Sequence, residues 1–324
     1  MHASTEPTVL SRTSPSRRAA LAAACLLAVA CAPDADTDET REPPRTTVAA
    51  QVEPQVEPGA SEQAATRVDA SKNGPRPSTT IARTGPNGGY TVYLPGDLAT
   101  RDEKAPILAW MSGGGTIHSL YPLLPRLATH GFVVVAADVI PGIGTEVDLG
   151  KQQLAGIDWA IGENTRTGSP LEGKLDTTKI AAFGYSMGSL ATFTIAGDPR
   201  ITTTVHLSGG NFAPERVRNL RAPAAFLCGA PNPTCNILAP NCDIAAVNCD
   251  RDFQNATTPV FYANHAGGHL AVLADPHASR INALTVEWLR WKLYGEEARR
   301  AVFVGGDCAA CKDSFWKVKQ KNLD

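Results

Sequence analysis

The chain has 324 residues, 43% of them hydrophobic, and a formal net charge of −2. That length is enough to bury one large core or two small ones. The near-neutral balance excludes nucleic acid as the main partner, because phosphate binding draws on a surplus of Lys and Arg. In chain order, Arg12, Arg17 and Arg18 come first, ahead of the short apolar stretch "AALAAACLLAVAC". A basic flank, a brief apolar run and small residues before Cys31 predict an export signal over residues 1–31. The stretch is too short to span a bilayer as a helix.

"LLAVAC" resembles a bacterial lipobox, with Ala28 where Leu is usual. That reading makes Cys31 the lipidated first residue of a protein held at the outer membrane, periplasm or cell surface. The alternative is a plain secretory signal cut nearby. Arg17-Arg18 adds a weak twin-arginine signal. Residues 32–79 follow, rich in Pro, Glu, Asp and Thr, with "QVEPQVEP" as a low-complexity near-repeat. Such a stretch buries too little apolar surface to offset chain entropy, so a flexible tether is expected.

From residue 80 to 324 the texture is that of one folded domain. "YTVYLP" reads as a strand, and "APILAWM" as a strand covered on both faces. "YPLLPRLATHG" has helical spacing with a stop at Gly131. "FVVVAAD" is a second buried strand. "GKQQLAGIDWAI" is helical, with Leu154, Ile157, Asp158 and Ile161 at helix spacing. "KIAAFG" is a strand, and the segment after Ser186 a helix. "TTTVHLSGG", "APAAFLCG" and "PVFYAN" supply three more strands. "SRINALTVEWLRWKLYG" closes the series as a long helix with Ile281, Leu284, Trp288, Leu289 and Trp291 on its apolar face. Strands alternating with helices predict an α/β fold with a mostly parallel sheet between helix layers.

Six cysteines follow Cys31: Cys228, Cys235, Cys242, Cys249, Cys308 and Cys311. An even number in an exported protein predicts disulfides. The first four recur every seven residues, wider than the tight ligand pairs of structural zinc, so no metal site is expected. Cys308 and Cys311, in "DCAAC", read as a local disulfide rather than a redox pair, since no βαβ unit surrounds them.

"AAFGYSMGSLATF" carries the chemistry. A buried strand, then Gly184-x-Ser186-x-Gly188, then a helix, is the context of a nucleophile elbow. The hydroxyl would project at the carboxyl end of the sheet, where open α/β sheets build their sites. A base is needed downstream, and His269 lies between the last parallel strand and the last long helix, in Ser…Asp…His order. His265 reads as a polar strand-end residue. His118 and His206 come too early for that order, although His118 could line the pocket. The acid is open at this point among Asp243, Asp250 and Asp252, which share a cysteine-rich loop. An oxyanion hole needs two N–H donors. Met187, just after the nucleophile, is one. Gly114, in the "SGGGT" loop, is the other, since glycine lets backbone approach a substrate closely.

"WMSGGGT", "LATHGFVVVAAD", "QLAGIDWA", "KLDTTKIAAFGYSMGS", "CDIAAVNCDRDF", "FYANHAGGHL" and "WLRWKLYG…FVGGDCAACKDSFWKVKQKN" occur in the order found in a group of secreted α/β-hydrolases. From about residue 88 to the end the chain resembles the dienelactone hydrolase-like, chlorophyllase-like and polyester hydrolase-like members of that group. The resemblance implies an α/β-hydrolase fold without a large lid domain, no cofactor, and Ser186 and His269 as nucleophile and base. It implies Asp243 as the acid, with Asp250 next. It also implies a small or polymeric ester as substrate; a monomer is expected, meeting a membrane only through the N-terminal lipid of the lipobox reading. Ser189 and Tyr185 depart from the group, which often carries Gly at the first position and His or Gln at the second. The competing expectation is a surface lipoprotein that keeps the fold but only binds a ligand or partner.

Overall fold

The computed structural model describes residues 68–142, 145–229 and 245–323, with side chains from 248 onward in the last stretch. The export signal, most of the expected tether, Cys235, Cys242 and Asp243 lie outside the described residues.

Nine strands form one sheet in the order β1-β2-β4-β3-β5-β6-β7-β8-β9. They are β1 (Ser78–Thr84), β2 (Tyr90–Pro95), β3 (Ala105–Met111), β4 (Val133–Ala137), β5 (Leu175–Tyr185), β6 (Ile201–Leu207), β7 (Ala224–Gly229), β8 (Val260–His265) and β9 (Trp316–Lys321). The six from β3 to β8 pair in parallel, while β1, β2 and β9 run antiparallel at the margins. Burial explains the difference. All seven residues of β3 and all five of β4 are buried, so both faces must be apolar.

Helices α1 (Leu123–Thr129), α2 (Glu146–Glu163), α3 (Met187–Ile195), α4 (Ala245–Asn255), α5 (His277–Tyr294) and α6 (Ala309–Lys312) cover the sheet. The period of two along each strand sorts the core. Leu108, Trp110, Ala181 and Phe183 face α1 and α5. Ile107, Ala109, Ile180 and Ala182 face α2 and α3 on the other side. Buried Gln153 of α2 donates to the carbonyls of Ala109 and Phe183 at 2.9 and 3.0 Å, which locks that helix to β3 and β5. Helix α2 begins at Glu146, ahead of the expected Gly150, because Thr145 and Asp148 form a reciprocal cap. Gly295, at φ 69°, ends α5 where the apolar pattern stops.

Besides the early start of α2, two strands, one helix and one boundary differ from expectation: α4 occupies part of the segment expected as a cysteine-rich loop, so Asp250 and Asp252 lie on a helix. β1 and β9 are edge strands whose outward faces are polar or Lys-rich, a pattern that protects an edge but carries little hydrophobic signal. Residues 68–79, expected as the end of the tether, pack on the domain. Ala70 is buried in the core, the Gly74 N–H donates to Thr129 Oγ1 at 2.7 Å, and Arg299 donates to the Val68 carbonyl at 3.1 Å. Composition missed this because the segment is held mainly by hydrogen bonds to distant residues, with Ala70 as its one buried apolar side chain.

Candidate active site

β5 ends at Tyr185 and α3 starts at Met187, so Ser186 alone makes the turn. It sits at φ 52°, ψ −117°. A non-glycine residue there carries about 1–3 kcal/mol of strain and persists only if its surroundings enforce it. They do: its N–H donates to the Leu207 carbonyl at 2.9 Å, and its carbonyl accepts from Ser189 and Leu190 at 2.9 and 3.2 Å. The flanking glycines follow from contact. A Cβ on Gly184 would fall 2.4 Å from the Gly188 carbonyl, and one on Gly188 would fall 2.0 Å from the Met111 oxygen.

His269 begins a 3-10 turn after Gly268, itself at φ 73°. The turn carries the imidazole to the same spot, with Nε2 3.0 Å from Ser186 Oγ. His269 is nearly buried, and the Tyr185 hydroxyl donates to its carbonyl oxygen at 2.9 Å.

Of the three acid candidates, Asp243 lies outside the described residues. Asp250 is on α4 and pairs with Lys319 of β9. Asp252 is fully buried and accepts the N–H of Asn211, beside the Arg251 guanidinium. Burial pushes its carboxyl up to about 6, against that hydrogen bond and the arginine charge. Asp250 thus faces Lys319, and Asp252 faces Asn211 and Arg251.

Hydrogen-bond bookkeeping picks out the donors of the "SGGGT" loop. Gly113 N–H donates to Tyr121 Oη at 3.0 Å. Gly115 N–H donates to Pro141 and Thr116 N–H to Gly113, at 2.8 and 3.1 Å. None of these bonds uses the Gly114 N–H, and the Cβ position of Gly114 is 3.9 Å from Met187 Cε. Met187 is the first residue of α3, so its N–H has no partner within the helix.

His118, His206 and His265 have partners elsewhere in the fold. His118 Nε2 meets Asp138 at 2.8 Å and its Nδ1 meets Tyr93 Oη at 2.7 Å, which ties the loop after β3 to β2 and to the end of β4. Burial lowers its pKa while the Asp138 charge opposes. His206 is fully buried, stacked on Phe193 at 3.7 Å, and burial drives it down to about 3. His265 ends β8 and stacks on Phe315.

Cys228 at the end of β7 is bonded to Cys249 of α4, and Cys308 to Cys311. The first bridge spans the segment that contains Asp243. Among the described residues no group of His, Cys, Asp or Glu could hold a metal ion, and no helix is long and apolar enough to cross a membrane.

Sequence reasoning missed a rim of exposed apolar residues at the carboxyl ends of the strands. Leu120 follows β3, Ile140 follows β4, Phe212 follows β6 and Leu270 follows β8; Phe212 is 76% exposed. Single residues in loops have no periodicity, so no pattern marked them.

The sequence pattern of the PET hydrolase-like family matches residues 51–321. Over 111 residues the chain is 32% identical to cutinase est1 of Thermobifida alba, covering 34% of this chain and 35% of that protein. Over 136 residues it is 30% identical to the bis(hydroxyethyl) terephthalate hydrolase of Streptomyces coelicolor, covering 41% of each. The chain thus spans about a third to two-fifths of the length of the curated relatives it matches. With the family pattern covering most of the chain, on a parallel sheet whose strand-to-helix turn bears Ser186, the chain belongs to the PET hydrolase-like family of α/β-hydrolases.

Proposed function

We propose that the protein is an exported serine hydrolase that cleaves carboxylic esters, bulky or polymeric ones included. The observation that carries this reading is Ser186 Oγ, held on a strained turn 3.0 Å from His269 Nε2. In the proposed reaction His269 takes the hydroxyl proton as Ser186 Oγ attacks the ester carbonyl carbon. The N–H groups of Met187 and Gly114 receive the oxyanion. The imidazolium then gives its proton to the leaving alcohol, and an acyl-serine remains. Water, deprotonated by the same imidazole, releases the acid and restores the serine. Asp243 orients the ring and stabilises the imidazolium.

The relatives' names and the apolar rim support the substrate class. Cutinases and a bis(hydroxyethyl) terephthalate hydrolase are among the matched proteins. Phe212, Ile140, Leu120 and Leu270 are exposed in connections that follow parallel strands, as Ser186 does. Such a rim favours an apolar acyl or aryl surface over a small polar ester. Residues 1–31 serve export in this reading, with Cys31 lipidated or the signal cut nearby, and the following segment tethers a monomeric domain.

Turnover of a p-nitrophenyl ester and product release from a polyester film test the reading together. Ser186→Ala should lose roughly four or more orders of magnitude on both. A fluorophosphonate should label wild type at Ser186 alone. Near wild-type turnover by the alanine variant would overturn the mechanism. A folded wild type that neither turns over ester nor labels would favour the binding-only alternative.

A further inference from the structure

Tyr185 precedes the nucleophile and touches both His269 and the loop after β3. It is buried at the end of β5. Its hydroxyl donates to the His269 carbonyl at 2.9 Å, and its ring lies 5.1 Å from the imidazole, tilted by 36°. On the opposite side Tyr121 meets it edge-on at 5.7 Å. Tyr121 Oη in turn accepts the Gly113 N–H and bonds to the Thr116 hydroxyl. Contact at Gly113 is close. A Cβ there would fall 2.5 and 2.7 Å from two Tyr185 ring carbons and 3.3 Å from Ser186 Cβ.

We propose that Tyr185, braced by Tyr121, is a positioning residue that holds His269 and the Gly113–Gly114 backbone in register with Ser186. This rests on the hydrolase reading above. The physical reason lies in connectivity. Ser186 is fixed by the sheet, whereas His269 sits on a turn beyond the end of β8. The loop after β3 is likewise outside the sheet. Tyr185 is one peptide from Ser186, so a bond from its hydroxyl references the base to the nucleophile over a few covalent bonds. Its ring does the same for Gly113. Two phenols thereby join three separate backbone segments. Neither needs to touch substrate, so the effect belongs to the chemical step and not to ground-state affinity.

Tyr185→Phe keeps the ring and removes only the hydroxyl; Tyr121→Phe removes the acceptor of the Gly113 N–H. Both are compared with wild type and Ser186→Ala in the full chain. A short-chain p-nitrophenyl ester is the substrate, and competent sites are counted by fluorophosphonate titration. Misplacing a reacting group by about 1 Å can cost up to about a hundredfold. The expected result is a fall in kcat per titrated site of at least about fivefold for Tyr185→Phe, with KM within about twofold. Tyr121→Phe, which removes a different hydrogen bond of the same brace, should fall in the same direction. A kcat within fivefold of wild type, or a loss carried by KM, would overturn the inference. Should Tyr185→Phe not fold, Tyr121→Phe decides by the same limits. Wild-type turnover that vanishes in Ser186→Ala keeps the hydrolase reading intact in either case. A wild type with no turnover and no labelling removes that reading and this inference with it.

Discussion

Ser189 shows how one side chain can depart from a family habit without disturbing the site beside it. Its single hydroxyl proton goes to the Gly209 carbonyl at 2.8 Å. The Nδ1 of His206, 3.0 Å away, must therefore donate to Ser189 Oγ. His206 Nε2 is then the acceptor from the Thr204 hydroxyl at 3.0 Å. A neutral imidazole with one proton satisfies this chain, in agreement with the burial that pushes its pKa down to about 3. Ser189→Ala leaves the Gly209 carbonyl and the His206 N–H without partners. Urea denaturation should show a loss of about 1–3 kcal/mol, with turnover per titrated site little changed, since Ser189 packs behind the turn and away from His269. A loss of turnover with full stability would contradict that account.

At the scale of elements, the bridge between Cys228 and Cys249 joins β7 to α4 across 21 positions. Cross-linking a loop of that length removes unfolded-state entropy worth about 3 kcal/mol in the chain-entropy account. Both sulfurs are buried, and Cys249 packs with Phe226, Val260 and Tyr262. Replacing both cysteines by Ala should lower the unfolding free energy by about that amount, more if the cavity does not collapse. Under the proposed mechanism the segment between them carries the acid, so kcat should fall as well while fluorophosphonate labelling slows. Unchanged stability in denaturant titration would remove the bridge from the list of stabilising elements.

For the whole molecule, two buried groups of opposite kind shape the response to acid. His206 binds its proton at about 3 in the fold, against an ordinary 6.5. Its contribution to stability is complete above 6.5 and is lost as pH falls toward 3. Asp252 is raised from 3.8 to about 6. Its contribution is complete below 3.8 and is lost as pH rises through 6. Between those limits the slopes are opposite, each about 1.4 kcal/mol per pH unit, and they offset. Asp252→Asn removes one of them. From pH 6 down to pH 4 the variant should lose stability about 1.4 kcal/mol per pH unit faster than wild type. Parallel stability profiles for the two proteins would refute the opposing pair.

Local pattern was enough for the parallel core, and the physics says why. "APILAWM", "FVVVAAD" and "APAAFLCG" are covered on both faces, so each writes its burial as a continuous apolar run, and the helices between them write a 3.6-residue period. Gly184, Ser186 and Gly188 were readable for a similar reason, because a turn that tight admits few side chains. The edge strands β1 and β9 were not, since solvent on one side permits polar residues. Nor was the packing of residues 68–79, which depends on partners such as Thr129, His130 and Arg299, far along the chain. The meeting of Ser186 with His269 was inferred from chain order, but its 3.0 Å geometry exists only because β5 and the turn after β8 end at the same edge of the sheet. The roles of Tyr185 and Tyr121 are of the same kind: hydrogen bonds between residues distant in sequence leave no periodicity, and only the folded chain brings them together.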